Sequence, residues 1–448
     1  MSTTASFALH CVHRTTNPRA RFLATSTLAS LKTRTVYSNT SIRVATMSTA
    51  TRATTTVEER KAVHEKRPAH HLDDTQTRFT NPWPSFRNQT FGQFLHFFWD
   101  QARNSPKPPA NLSSRIPSRT PDWAAASATN GLKATWLGHA CFLVELPTPA
   151  GAARGPRILF DPVLSHRCSP VQWIGPERLL PTPCPAEDIP AVDAICISHN
   201  HYDHMDFPTL RTVYAAHKPH IFAPLGNRDH LRSIGIADTH IHIFDWWDAA
   251  TVTAALPSAS TSASTSKSAS ESVQAPFVVT CTPSQHTANR SPFDRWRTLW
   301  ASWAVEEVLP APPSAGEGEV AREPKKLYFA GDTGYRTVWA GEDEETAPRC
   351  PAFKEVGEKL GPFDLALLPI GAYAPRAMWS NLHASPADAV QIYLDVRAKK
   401  ALAMHWGTWI LTTEPTMEPP ELLKRARVLG GLSEGAFEIC GLGETTVV

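Results

Sequence analysis

Four imidazole- or carboxylate-bearing residues fall within six positions of this 448-residue chain, in the run His199-Asn200-His201-Tyr202-Asp203-His204. The apolar stretch Ala194-Ile195-Cys196-Ile197 directly before it reads as a buried strand, so the run occupies the turn that leaves that strand. A turn at a strand end can aim alternate side chains into one cleft. Imidazole and carboxylate are the ligands zinc takes at open, catalytic sites. Four such groups exceed what one tetrahedral ion with an open position would draw from a single loop, so the run predicts two ions sharing it. The chain must then fold so that other strand ends reach the same cleft.

Three further strand ends carry a suitable group. His286 follows the apolar residues 277–281, Asp332 follows Leu327-Tyr328-Phe329-Ala330-Gly331, and His405 follows residues 401–404. Alone, each reads equally well as a cap or a satisfied polar group. Together with the run they make seven ligands, enough for two ions with an aspartate bridging them. Short strands are also expected at residues 133–146, interrupted by Gly138-His139, and at residues 157–161 and 194–198. Residues 386–397 have helical spacing, with Ala389, Val390, Tyr393 and Leu394 on one side. Strands alternating with helices imply a layered body of α/β or α+β type, whereas an all-β fold would not alternate this way.

The remainder divides into recognisable pieces. Residues 1–57 contain no Asp or Glu, but carry Arg14, Arg19, Arg21, Lys32, Arg34, Arg43 and Arg52 among Ser, Thr and Ala. That composition fits a mitochondrial transit segment; a disordered tail, or translation starting at Met47, fits it too. Residues 58–130 form an N-terminal extension whose aromatic stretch, 91–99, is either a helix packed on the body or a lip touching lipid. Residues 131–448 are expected to be the catalytic body, with residues 258–272 (Ser, Ala and Thr) and 309–324 (Pro, Gly and Glu) as disordered insertions. A net charge of +2 gives no global electrostatic case for nucleic acid. No stretch approaches the roughly 18 apolar residues of a transmembrane helix. The eight cysteines are scattered with no C-x-x-C pair, which argues against a thiolate zinc ribbon or a disulfide framework.

The H-x-H-x-D-H run with downstream His, Asp and His resembles the metallo-β-lactamase superfamily. Longer segments resemble, within it, the N-acylphosphatidylethanolamine-hydrolysing phospholipase D family. They include Ala134-Thr135-Trp136-Leu137-Gly138-His139-Ala140, Ser169-Pro170-Val171-Gln172-Trp173-Ile174-Gly175-Pro176, Asp245-Trp246-Trp247, Phe329-Ala330-Gly331-Asp332-Thr333-Gly334-Tyr335 and His405-Trp406-Gly407-Thr408. The resemblance implies an α+β fold, the four-layer αββα sandwich of that superfamily, with two Zn2+ per chain. By it, His199, His201 and His286 hold one ion, Asp203, His204 and His405 the other, and Asp332 bridges them. His383 matches an active-site histidine beyond the ligands, so His383 and Asp332 are the catalytic candidates. Read locally, His383 is equally a residue at a helix start, just before Ser385-Pro386. His139 is expected to support the site without ligating. Tyr202, Trp173 and Tyr373 are candidate substrate contacts.

The implied reaction cleaves N-acylphosphatidylethanolamine to N-acylethanolamine and phosphatidic acid at a membrane surface. The alternative is a lactonase or small-ester hydrolase of the same fold. The expected setting is mitochondrial or cytoplasmic and peripherally membrane-associated, with a phospholipid as partner, no nucleic acid, and room for a homodimer. The two insertions, and an added stretch at residues 337–348, depart from the family pattern and bear on access to the cleft.

Overall fold

Apolar side chains two apart along each strand send one set to each face of a sheet, and this chain uses that period on six consecutive strands. The computed structural model describes residues 54–90, 92, 93, 99, 101, 103, 105–123, 131–259, 272–310 and 322–448. One sheet is built from β2 (Lys133–Gly138), β3 (Cys141–Glu145), β4 (Arg157–Phe160), β5 (Ala194–Cys196), β6 (His220–Pro224), β7 (Ile241–Phe244) and β15 (Thr445–Val447), in the order β15-β2-β3-β4-β5-β6-β7. Ala134, Trp136, Phe142, Val144, Ile158, Phe160, Ala194, Cys196, Phe222 and Phe244 face the larger core. The residues between them, such as Cys141, Leu143, Leu159, Ile195, Ile221 and Ile241, face a second core with Leu210, Val213 and Leu231. Those last three come from the helices Phe207–His217 and Arg228–Ser233.

The other sheet holds β1 (Thr56–Arg60), β8 (Ala249–Pro257), β9 (Ser272–Thr282), β10 (Ser302–Glu307), β11 (Lys326–Phe329), β12 (Phe363–Pro369), β13 (Ala398–Met404) and β14 (Phe437–Glu438). They run in the order β1-β8-β9-β10-β11-β12-β13-β14. The helices Ala352–Lys359, Pro386–Asp395 and Glu418–Leu429 contribute Phe353, Val356, Val390, Ile392 and Leu423 to the same core cluster. Phe160 stacks on Phe329 from the opposite sheet, ring centroids 4.7 Å apart. The result is the expected α+β sandwich of two sheets with helices packed against them.

β11, β12 and β13 are parallel, as are β4, β5 and β6. Parallel neighbours open their C-terminal ends at the same edge, where open α/β sheets place ligand crevices. The predicted ligand-bearing turns leave β5, β11 and β13 at those ends.

Several boundaries differ from the sequence reading. Thr56 and Val57, expected to lie outside the fold, pair with Thr253 and Val252 in β1, because Val57 packs against the core while its neighbours face outward. Helix Pro386–Asp395 stops two residues before the expected end; Ser385 caps it through a capping box with Asp388. β9 begins at Ser272, the last residue of the expected first insertion, and β13 begins at Ala398, three residues earlier than expected. Residues 1–53, most of the 91–99 segment, residues 260–271 and residues 311–321 lie outside the described residues. The readings of a transit segment, an aromatic lip and mobile insertions therefore fall on residues largely outside the described set.

Candidate metal centre

The turn after β5 runs straight into helix Phe207–His217, and three features shape it. His204 and Met205 both donate their backbone N–H to the His201 carbonyl, which curls the run. Asp206 accepts from the Ser165 and Thr209 hydroxyls, anchoring the helix start to the neighbouring loop. Pro208 sits in the helix's first turn, where its missing N–H costs nothing. The run is thus fixed from both sides.

All seven candidate ligands converge. His199, His201 and His286 form one set whose ligand atoms lie within 4.8 Å of one another. Asp203, His204 and His405 form a second set that also includes His139, and Asp332 joins His286 and His383 in a third. His199 Nε2 lies 2.8 Å from His201 Nδ1. Asp332 Oδ1 is 2.9 Å from His405 Nε2, and its Oδ2 is 3.2 Å from His204 Nε2 and 3.8 Å from His286 Nε2. Asp332 therefore stands between the two histidine groups. His383 Nδ1 is 3.8 Å from the same Oδ2, with its ring 5.4 Å from that of His405. His383 lies two residues ahead of the Ser385 cap, and its backbone N–H donates to Trp379.

The chemistry of this donor set fits divalent cations. Among the described residues, the carboxylates of the half-buried Asp203 and the buried Asp332 pair with histidines and with no lysine or arginine. The Nε2 atoms of His204, His286 and His405 are buried without a hydrogen-bond partner. Buried polar atoms are ordinarily paired, and an imidazole nitrogen this close to a carboxylate needs a proton or a cation between them, a place a divalent ion would fill. Burial drives the His199 and His286 rings well below their ordinary pKa, which leaves them neutral with a lone pair to offer. Burial also pushes down on His204 and His405, but the carboxylates around them outweigh it; His405 is raised to about 9. The carboxylates thus demand positive charge at this spot.

Supporting groups orient the ligands, and sequence reasoning passed over most of them. Asp161, wholly buried at the end of β4, accepts from His204 Nδ1 at 2.6 Å, Ser198 N at 2.6 Å and the Ser198 hydroxyl at 2.5 Å. Asn289 Oδ1 accepts from His201 Nε2 at 3.1 Å, and the Leu382 carbonyl accepts from His286 Nδ1 at 2.9 Å. His139 donates to Asp203 at 2.9 Å and is pulled to about 3 by burial, so it acts as a neutral donor. Second-layer partners of this kind fix ring orientation and tautomer. Three of the residues involved, His139, Asp161 and His405, have positive φ (54°, 38° and 60°), a conformation non-glycine residues adopt only where the surroundings enforce it. The one signal for Asp161 in the sequence was its place as a polar residue ending an apolar strand. Asn289 gave none.

The three proposed substrate contacts are placed differently. The Tyr202 hydroxyl donates to the Arg290 carbonyl while the Arg290 guanidinium lies over its ring. Tyr373 is buried and donates to Glu418 at 2.7 Å. Trp173 is 79% exposed. Its loop is closed at the base by Arg167, which pairs with Glu177 and donates to the Gly175 carbonyl. The added stretch at 337–348 is tied inward: Glu344 pairs with Arg376, which also pairs with Asp388 and donates to the His383 carbonyl.

Residues 156–406 match the family described as the beta-lactamase superfamily domain. The chain belongs to the beta-lactamase superfamily, and the site is that of a metal-dependent hydrolase. Among its relatives, it is 33% identical to the N-acyl-phosphatidylethanolamine-hydrolyzing phospholipase D 1 of Caenorhabditis elegans, over 76% of this chain and 83% of that protein. It is 25% identical to the mitochondrial N-acyl-phosphatidylethanolamine-hydrolyzing phospholipase D of Saccharomyces cerevisiae, over 80% of this chain and 73% of the other. An uncharacterized protein of Mycobacterium tuberculosis is 35% identical over 72% of this chain and 71% of its own length.

Proposed function

We propose that this chain is a zinc-dependent phosphodiesterase of phospholipase D type, cleaving N-acylphosphatidylethanolamine to N-acylethanolamine and phosphatidic acid. The observation that carries the reading is the convergence of His199, His201, Asp203, His204, His286, Asp332 and His405 into one cluster around Asp332. The substrate follows from the relatives' activity. His199, His201 and His286 would hold one ion, Asp203, His204 and His405 the other, with Asp332 shared. Such ions supply Lewis acidity and lower the pKa of water toward neutrality.

The chain's own residues do the rest. Asp161, Asn289 and the Leu382 carbonyl fix three ligand rings, so the site needs little rearrangement during reaction. His383 is the catalytic candidate that does not ligate. Its Nδ1 is buried without a hydrogen-bond partner, and burial pulls the ring to about 4, so it is neutral at physiological pH. A neutral ring N–H there donates a hydrogen bond to a phosphoryl oxygen or to the leaving N-acylethanolamine oxygen. Overall, water adds to phosphorus, the bond to that oxygen breaks, and the departing oxygen takes the proton.

Action at a membrane surface is part of the proposal. Trp173 and Ile174 stand 79% and 56% exposed on one loop, and the base of that loop reaches the ligand-bearing turn through Ser165 and Asp206. Among the described residues no helix is long and apolar enough to cross a membrane. We assign residues 131–448 to the hydrolase body, residues 58–130 to an extension, and residues 1–57 chiefly to a mitochondrial transit segment or a tail. Vesicles containing N-acylphosphatidylethanolamine, compared with soluble lactones and esters, test the substrate. Release of N-acylethanolamine with phosphatidic acid is expected; turnover of lactones alone would replace this reading with the small-ester one.

A further inference from the structure

Directly after β7, two adjacent histidines meet a buried aspartate that the reaction does not use. His70, His71 and Asp245 are 5%, 4% and 6% exposed. His70 Nε2 lies 2.7 Å from Asp245 Oδ1, and His71 Nε2 lies 2.8 Å from Oδ2. Both rings therefore point their Nε2 atoms at one carboxylate. A turn makes this possible: His71 N–H donates to the Pro68 carbonyl, and Thr80 N–H donates to that of His70.

We propose that His70, His71 and Asp245 form a further metal site, separate from the candidate centre, that takes a zinc-like divalent cation. The asymmetry of the cluster carries the argument. Asp245 Oδ1 has two directed partners, His70 Nε2 and the Trp246 N–H. Oδ2 faces His71 Nε2, and that nitrogen is buried without a hydrogen bond despite the short separation. Two lone-pair atoms this close need a proton or a cation between them, and the direction required of a proton is not met.

The same signature marks the centre described above. There too, unpartnered Nε2 atoms (His204, His405) face a buried carboxylate at 3.2 Å and 2.9 Å. Ligands at about 2.0–2.2 Å around a tetrahedral ion would stand somewhat farther apart than these contacts, so both clusters accept an ion by a small outward movement. Two imidazoles and one carboxylate match the nitrogen and oxygen preference of zinc and its first-row neighbours. The fourth position has somewhere to open: His70 borders a cavity of about 470 Å3, walled by Trp83, Trp246 and Trp247. His70 stacks on Trp246 at 4.1 Å, and Trp246 on Trp83 at 5.3 Å, so an ion here would pin the extension to the turn after β7.

Anomalous diffraction from the full-length protein crystallised with zinc, recorded at the zinc edge, tests the site without any variant. A peak between His70, His71 and Asp245 is expected, and its absence overturns the proposal. In solution, metal per chain should fall by one ion from the wild type to His71→Ala. His71→Gln, which keeps a polar group in place, should lose the same ion. Equal metal content in wild type and folded variants also overturns it. The difference is independent of how many ions the candidate centre holds, so failure here leaves the proposed function standing.

Discussion

Replacing Asp161 by asparagine changes one atom in a side chain that touches no substrate, and the consequences can be worked from three hydrogen bonds. Asp161 takes the His204 Nδ1–H, the Ser198 N–H and the Ser198 hydroxyl, all within 2.6 Å. An asparagine of the same shape keeps one acceptor oxygen for Ser198, but its amide nitrogen confronts donors. If the amide oxygen stays with the Ser198 N–H, the amide nitrogen takes the place of Oδ2, which serves both the Ser198 hydroxyl and His204 Nδ1–H, so His204 loses its acceptor and burial denies it water. Leaving one buried donor unpaired costs about 1–3 kcal/mol of stability. The ring is also freed to turn or to shift its proton, and partners behind a metal ligand are worth about 10–100-fold in metal affinity, or about 1.4–2.8 kcal/mol. Competition with a chromogenic zinc chelator, alongside thermal unfolding of the metal-free form, separates the two effects. The expected result is metal binding weakened by at least about tenfold with a folded protein. Affinity within twofold of wild type would refute the claim that Asp161 orients His204.

Three further outcomes follow from other contacts. His383→Ala should keep its metal and lose about 100- to 10,000-fold in turnover; unchanged turnover removes His383 from the mechanism. Asp388 is buried between Arg336 and Arg376, and Asp388→Ala should destabilise the fold by about 3–5 kcal/mol, measured by urea denaturation. Burial alone would raise the Asp388 carboxyl, but the two arginines outweigh it and hold it below its ordinary value. Its contribution is therefore complete above the unfolded pKa of about 3.9 and is lost as pH falls through the lower folded value, so the wild type's advantage over Asp388→Ala should shrink in acid. A Cβ at Gly334 would stand 2.3 Å from the Asn381 carbonyl, so Gly334→Ala must displace the backbone leading to His383. Turnover should drop by about 100-fold, and a normal rate would show that this approach does not set the position of His383.

The seven-residue cluster was legible because each member ends or follows an apolar strand, and because the resemblance joined positions that singly read as caps. The two-sheet sandwich was legible for the same reason, together with the resemblance carried by its motifs. What escaped depends on contacts far apart in the chain. Nothing local to Thr56–Arg60 says that it pairs with residues 249–253, close to 200 positions away. Asn289 meets His201 across two loops, and Glu344 reaches Arg376 from a stretch that reads as a surface addition. Tyr373 was expected to be a substrate contact from its neighbours in sequence, yet its hydroxyl is taken by Glu418. Pairings of this kind are set by tertiary packing, and residue order alone does not encode them visibly.

The central claim is that water is added at the phosphorus of a phospholipid, releasing N-acylethanolamine. Turnover of N-acylphosphatidylethanolamine vesicles by the zinc-loaded chain in 18O-enriched water, followed by mass spectrometry of both products, addresses it most directly. One heavy oxygen should enter the phosphate of phosphatidic acid, while N-acylethanolamine stays unlabelled. Label in the N-acylethanolamine instead, or no release of either product from a zinc-loaded protein, would contradict the account.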